Sequence, residues 1–250
     1  MKLVILSTQR SGSTLVCDDF AGTKKLGVPT EHYIKLLNKN NCSLEDIENY
    51  FNKFAKTANG VEAVKIMANQ LDPINNLYKK AGLDPYKRFL SFQKKNEYPY
   101  FFKQYKNAKF FRVFREDKIA QAVSLIFSEK TDVFHLVESS EKLKNIVGKE
   151  TEDANIRNVS FEYNRDEIDQ RLNFIKKNEN KLDDFCSMYN IEPYLIKYEN
   201  IISSNNYIKK IGNDLGISDA NPAERSLKKI GGANALYWIE KYKKELNSEN

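Results

Sequence analysis

The first fifteen residues constrain the fold of this chain more than any other stretch. An apolar run over residues 3–6 predicts a buried strand, a polar loop with one glycine follows it, and residues 13–20 have the pattern of an opening helix. This order of elements is the basic unit of an α/β fold with a mainly parallel sheet. In such a unit the loop amides point inward at the positive end of the helix, where a phosphate group can bind without a metal.

The side chains of this loop suit the same ligand. Arg10 offers a planar fork of donors, hydroxyl groups stand at Ser11, Ser13 and Thr14, and Gly12 lies between them. The loop is not a Walker A motif, because Gly-x-x-x-x-Gly-Lys-Ser/Thr is absent. Many strand–loop–helix turns bind nothing, so the loop alone leaves open a phosphate site and a purely structural turn.

Composition narrows the class of protein. The 250 residues, 41% hydrophobic and 30% charged, predict one soluble domain over residues 1–250 with helical insertions. The net charge of +6 is spread along the chain, which favours anionic ligands and does not indicate nucleic acid binding. No apolar stretch is long enough for a membrane span or a signal peptide. The three scattered cysteines predict neither disulfides nor a metal site, so we expect a cytoplasmic protein.

A second strand–loop–helix unit occurs near the middle of the chain. Residues 108–114 predict a strand, and a helix begins at Asp117. Arg115 stands at the strand end and Ser124 two turns into the helix. Because ligands of open α/β sheets bind at the carboxyl ends of the strands, we expect both near the first loop. The structural alternative is a surface ion pair for Arg115 and a solvent-facing Ser124.

Glu31 and His32 follow a proline turn and are expected near the end of an element. Glu31 is either the base that takes a proton from a hydroxyl group or an ordinary capping glutamate. His32 is the rival base because its pKa is normally near neutral. We favour a role for His32 in shaping an acceptor pocket.

Two further candidates for substrate binding are Lys65 and His135. Lys65 lies in a predicted strand over residues 60–67, where a solvated lysine at the sheet edge is favoured over a charge that points into a site. His135 lies within residues 128–160, which lack periodicity and predict either a mobile substrate loop or a surface insertion.

The remaining pattern is mostly helical. Ser43 and Asp46 have the spacing of a capping box. The other predicted elements are short helices between residues 71 and 105, a long helix over 165–189, a strand over 193–198, a helix over 207–215 and a C-terminal helix around Trp238.

These motifs together resemble the Stf0 sulfotransferases, the bacterial family of trehalose 2-sulfotransferase and lipopolysaccharide sulfotransferases. The similar segments are residues 8–15, the Pro-x-Glu of residues 29–31, the Arg-x-Asp-Lys-x-x-Gln-Ala-x-Ser of residues 115–124, the Tyr-Glu-Asn of residues 198–200 and the Trp238 helix. They occur in order over nearly the whole chain.

The resemblance implies a P-loop-like three-layer α/β fold and sulfuryl transfer from 3′-phosphoadenosine 5′-phosphosulfate (PAPS), with the bisphosphate PAP as product. It implies that the loop from Arg10 to Thr14 holds the phosphosulfate, and that Arg115 and Ser124 hold the 3′-phosphate. It also implies that Tyr198 lies near the adenine and that Glu31 is the general base. Arg10 and the loop amides can stabilise the negative charge that develops on the leaving group.

The chain also departs from the family pattern. His32 stands where the family more often has Tyr or Phe, Gln9 replaces a frequent proline, and Phe134-His135 replaces a common Trp-His pair. The resemblance implies a small carbohydrate or glycolipid acceptor, and these departures leave its identity unspecified. It leaves the oligomeric state open, a homodimer included.

Two other functions stay open at this stage. One is a P-loop phosphotransferase, against which the absent Walker lysine and aspartate argue. The other is a non-catalytic module that binds a nucleotide without turnover, which has no need of Glu31 beside the loop.

Overall fold

A computed structural model describes residues 1–39, 41–83, 97–134, 136–137, 160–225, 227–228 and 232–249. Its main sheet has four parallel strands in the order β2-β1-β3-β5. The strands are β1 (Lys2–Ser7), β2 (Glu62–Met67), β3 (Lys109–Phe114) and β5 (Tyr194–Lys197). A separate antiparallel pair joins β4 (Leu136–Val137) to β6 (Leu227–Lys228).

The helices surround this sheet. They are α1 (Ser13–Gly22), α2 (His32–Leu37), α3 (Leu44–Phe54), α4 (Leu71–Lys80), α5 (Pro99–Tyr105), α6 (Lys118–Thr131), α7 (Arg165–Met188), α8 (Tyr198–Ile201), α9 (Tyr207–Asp214) and α10 (Ala233–Ser248), with a short 3₁₀ helix at Ala68–Gln70. Across the described segments, none of the helices combines the length and the apolar character needed to cross a membrane.

Both faces of β1, β2 and most of β3 are buried, as expected for parallel strands covered on two sides, whereas Leu195 of the edge strand β5 is exposed. Leu3 and Ile5 share one core cluster with residues of α1 and α9. Val4 and Leu6 share another with residues of α2, α3, α4, α5 and α7. Since successive side chains of a strand point to opposite faces, this alternation produces three layers. The predicted α/β fold is confirmed.

A third cluster joins α6, α7 and α10. Trp238 of α10 is completely buried and packs with Val123 of α6 and Ile175 of α7. The indole N–H donates to the Phe161 carbonyl oxygen at 3.3 Å. This packing brings the C-terminal helix against the second strand–loop–helix unit.

The strand register brings the functional loops together. Ser7 pairs with Met67 on one side and with Val113 on the other, so β1, β2 and β3 end at almost the same level. Because all four strands are parallel, the loops that follow them meet at one edge of the sheet. This is the edge at which open α/β sheets bind ligands.

Most predicted elements are confirmed, with ends that differ by one or two residues. The capping box of α3 is present, since the Asp46 N–H donates to Ser43 Oγ at 3.1 Å and the Ser43 N–H to Asp46 Oδ2 at 2.9 Å. Most of the irregular region predicted over residues 128–160 lies outside the described residues.

Candidate active site

A cavity of about 940 Å³ opens at the carboxyl edge of the main sheet. Its walls come from the loop after β1, the turns after β2 and β3, and parts of α2, α6 and α10. The predicted site residues that line it are Arg10, Gly12, Ser13, Thr14, Glu31, Lys65, Arg115, Ser124 and Tyr198. Residues from five separate segments of the chain are therefore brought together.

The loop before α1 has the backbone shape of an anion-binding loop. Arg10 has a φ of 58° and Gly12 a φ of 92°, both in the left-handed region. Gly12 is the N-cap of α1, so no side chain covers the free amides of the first turn. A Cβ atom on Gly12 would lie 2.3 Å from Cδ2 of Tyr198, which leaves glycine as the residue that fits.

Gln121 of α6 ties the two strand–loop–helix units to each other. Its Nε2 donates to Thr8 Oγ1 at 3.0 Å and to the Gln9 carbonyl oxygen at 2.6 Å. Gln121 stands within the second motif, but the sequence analysis assigns it no role. Its side chain fixes the first loop against α6.

Arg10 spans the cavity between the two units. Its Nε donates to Ser124 Oγ at 3.0 Å, and Nη1 donates to the Phe134 carbonyl oxygen. Burial, and secondarily the positive charge of Arg115, lower the pKa of Arg10 to about 10. The guanidinium group is still charged at neutral pH, because that value lies far above 7.

Arg115 lies on the other side of the same space. Its guanidinium group sits 4.9 Å from the centre of the Tyr198 ring, and its buried Nε has no hydrogen-bond partner among the described residues. Within the part of the chain that the structure describes, neither Arg10 nor Arg115 forms an ion pair. Two neighbouring cations that no carboxylate contacts directly there, at the start of a helix, suit an anionic ligand.

Glu199 holds the turn that carries Arg115. Its carboxylate accepts hydrogen bonds from the Glu116 N–H at 3.0 Å and the Asp117 N–H at 3.2 Å. Asp117 in turn caps α6 by accepting from the Ala120 N–H at 2.8 Å. Glu199 belongs to the Tyr-Glu-Asn motif, but the sequence analysis assigns it no role of its own.

Glu31 lines the same cavity and is the N-cap of α2. Its Oε1 lies 2.9 Å from Lys65 Nζ, and its Oε2 accepts from Gln70 Nε2 at 2.8 Å. Lys65 Nζ also donates to Thr14 Oγ1 at 3.3 Å. The lysine side chain is only 8% exposed, so the solvated interpretation of Lys65 is wrong. The sequence analysis assigns no role to Gln70.

The other predicted residues lie elsewhere. His32 is buried against Tyr50 and Phe51, and its Nε2 lies 2.7 Å from the Val28 carbonyl oxygen. Burial lowers the pKa of His32 to about 4, and the residue does not line the cavity. Ser11 is fully buried, with no hydrogen-bond partner for its hydroxyl oxygen. His135 lies outside the described residues.

Arg225 forms a second cationic group at the cavity wall. It makes a double hydrogen bond to buried Asp19 of α1, with Nε to Oδ1 at 2.8 Å and Nη2 to Oδ2 at 2.7 Å. The Tyr207 hydroxyl donates to the same Oδ2 at 2.8 Å. The sequence places Arg225 in a basic tail but does not predict its partner, because a contact across 206 residues has no local pattern.

Across the described residues, no cluster of three or more His, Cys, Asp or Glu side chains could hold a metal ion. The family model described as "Stf0 sulphotransferase" matches residues 2–245. A search of curated proteins gives no match.

Proposed function

This chain belongs to the Stf0 sulphotransferase family, and from that premise we propose that it transfers a sulfuryl group from PAPS to a hydroxyl group of a carbohydrate or glycolipid. The observation that carries the proposal is a pair of arginines, Arg10 and Arg115, that form no ion pair among the described residues and line the same cavity as the carboxylate of Glu31. PAPS supplies the sulfuryl group on a phosphate that is a good leaving group. We further propose that residues 1–250 act as a single domain.

The residues of the donor side fit a nucleotide with phosphates at both ends. The loop from Arg10 to Thr14 holds the phosphosulfate with its amides, its hydroxyl groups and the Arg10 fork. Arg115 and Ser124 hold the 3′-phosphate, and the unpartnered Nε of Arg115 supports this assignment. Tyr198 packs on Gly12 and offers an aromatic face for the adenine.

Glu31 acts as the general base. It takes the proton of the acceptor hydroxyl, a role that typically contributes about 10²–10⁴ in rate. Arg10 and the loop amides stabilise the negative charge that develops on the leaving phosphate. Removing one such preorganised donor commonly costs about 10²–10³ in kcat. Both residues line one cavity, so one bound complex can contact both.

The acceptor side combines polar and apolar groups. Ile34 and Leu37 follow Glu31 at three-residue steps on α2, so they form one ridge, and both line the cavity. Asn69 also lines the cavity, in the turn that precedes α4. A hydroxyl group on a sugar that carries an apolar substituent suits these walls. Lys65 is proposed to contact the substrates, and His135 stays a prediction.

The direct test is transfer of label from [³⁵S]PAPS to a panel of sugars and lipid extracts. We expect a labelled product with the wild-type chain. We expect Glu31→Gln to lose about 10²–10⁴ in turnover while its affinity for PAP is unchanged. Unchanged turnover in Glu31→Gln would assign the base role to another residue.

A thermal-shift comparison separates the alternative functions. PAP should stabilise the chain more than ATP with Mg²⁺ does, because binding to the folded state raises its melting temperature. Stabilisation by ATP with Mg²⁺ alone would favour a phosphotransferase. Stabilisation by PAP without transfer to any acceptor would favour a non-catalytic nucleotide-binding module.

A further inference from the structure

Lys65 occupies a position between the two halves of the cavity. It extends from β2, an edge strand of the main sheet, and its ammonium group touches both sides. Glu31 Oε1 lies 2.9 Å away on the acceptor side, and Thr14 Oγ1 lies 3.3 Å away in the first turn of α1. A single cation is thus shared by the proposed base and the proposed site of the phosphosulfate.

Gln70 holds the other oxygen of Glu31 independently of Lys65. The Gln70 side-chain oxygen accepts from the Met67 N–H at 3.0 Å, which fixes the amide so that its NH₂ group donates to Glu31 Oε2 at 2.8 Å. If Lys65 moved, Glu31 would keep its orientation through Gln70. Only Oε1 of Glu31 would then become free to accept a hydrogen bond from another group.

This arrangement raises a problem for catalysis. Lys65 lies between Glu31 Oε1 and Thr14, and Oε1 is the oxygen that an acceptor hydroxyl would approach. The ammonium group of Lys65 already contacts this oxygen. PAPS bound at the start of α1 would offer the ammonium group of Lys65 a second anion within a short distance. Lysine suits such an exchange, since it is a point charge on a flexible stem.

We infer, on the basis of the proposed function, that Lys65 is a catalytic residue that moves from Glu31 to the sulfuryl oxygens when the donor binds. Glu31 Oε1 is then free to accept the acceptor proton, while Gln70 is the positioning residue that keeps Glu31 aimed. The base therefore becomes available only in the complex with the donor.

The transfer step balances without any other reagent. The acceptor O–H bond breaks and its proton goes to Glu31 Oε1. The acceptor oxygen forms a bond to sulfur while the bond from sulfur to the phosphate oxygen breaks, and that electron pair stays on PAP. Lys65 contacts the sulfuryl oxygens throughout. Glu31 afterwards releases the proton to solvent, and Lys65 returns to it when the products leave.

The test compares binding of PAPS and PAP, which differ only in the sulfuryl group. Lys65→Gln should weaken PAPS about 10-fold to 100-fold, the usual effect of losing one hydrogen bond to a charged group, and should leave PAP nearly unchanged. Glu31→Gln should strengthen PAPS several-fold, because it removes the anion that competes for Lys65. Calorimetry measures both ligands without requiring turnover.

Two further variants distinguish a role of Lys65 in binding PAPS from a general loss of structure. Lys65→Arg keeps the charge and should retain most of the preference for PAPS over PAP even if Lys65→Gln folds poorly. Gln70→Leu should lower kcat and leave the affinity for PAPS unchanged. Lys56→Gln is the matched control, because Lys56 is another cation near β2 that pairs with Glu62 outside the cavity. It should change neither quantity.

The outcomes separate this inference from the proposed function. Equal weakening of PAPS and PAP by Lys65→Gln, or no weakening of either, would overturn the role of Lys65. Unchanged PAPS affinity in Glu31→Gln would overturn the competition between the two anions. Absence of PAPS binding and transfer in the wild-type chain would instead overturn the proposed function.

Discussion

Arg225 and Arg10 lie on different walls of one cavity and have opposite electrostatic surroundings. Arg225 is neutralised within the protein by a double hydrogen bond to Asp19, a carboxylate with no exposed side-chain surface. Arg10 contacts a hydroxyl group and a carbonyl oxygen, and the charge that most affects its pKa belongs to Arg115, which is also positive. A paired arginine stabilises the fold, whereas an arginine without an anion is available for a ligand.

His32 shows a third way to accommodate a buried titratable group. Its imidazole is buried with no carboxylate partner among the described residues, and burial lowers its pKa to about 4, so it is neutral at pH 7. An arginine cannot respond in this way, because its pKa stays far above neutral. Arg10 therefore stays charged at a cost to the free protein, and a bound anion removes that cost.

The largest expected effect comes from breaking the paired arginine. Asp19→Asn leaves Arg225 without its anion, and loss of one member of a buried pair typically costs about 3–5 kcal/mol of unfolding free energy. Urea denaturation measures this loss. Asp214→Asn is the control, because it removes an exposed pair with Lys210 and should change little. Equal stability of Asp19→Asn and wild type would show that the buried pair is not structural.

Removing the Arg10 side chain should lower the rate of catalysis without lowering the unfolding free energy. Arg10→Ala is expected to lower kcat by about 10²–10³, equivalent to about 2.7–4 kcal/mol of barrier, and to weaken PAP. Its unfolding free energy should not fall, since the change relieves repulsion with Arg115. Turnover assays and urea denaturation on the same preparation check both parts. If Arg10→Ala were destabilised as strongly as Asp19→Asn, the contrast between the two arginines would fail.

His32 predicts a smaller, pH-dependent effect. The folded-state pKa of about 4 lies below the ordinary value of 6.5, so between these two pH values the imidazole is protonated in the unfolded chain and neutral in the folded chain. Stability is therefore full above pH 6.5 and falls as the pH drops toward 4, by about 3 kcal/mol for this group. In His32→Gln this loss should be absent. Unfolding free energies of both chains between pH 7 and 4 give the difference, and parallel curves would contradict the prediction.

Local patterns were enough to predict the fold class and to place Arg10, Arg115 and Ser124 at the same end of the sheet. The strand–loop–helix units around Arg10 and Arg115 are continuous in sequence, so hydrophobic periodicity and loop chemistry place them without tertiary information. The register of β1 with β3 then brings Ser124 to Arg10. These residues were predictable because each element carries its own functional group.

The surroundings of Glu31 and Lys65 were less predictable because they depend on pairing between distant segments. Lys65 has the sequence pattern of an edge lysine, and only the packing of β2 beside α1 and α2 buries it between Thr14 and Glu31. His32 follows Glu31 directly, yet the start of α2 turns the two side chains to different surroundings. One-residue steps on a helix change direction by about 100°, so adjacency in sequence does not imply a shared site.

Gln121 has a consequence for ligand selection. One amide group bridges the loop after β1 and the helix after β3 through Thr8 and the Gln9 carbonyl oxygen. The separation of the two anion-holding units is thus set by a rigid spacer rather than by the ligand. In the proposed function, this contact fixes the separation between the residues that bind the two terminal phosphates of the nucleotide. A nucleotide that lacks either phosphate would leave one of these two sets of residues without its ligand.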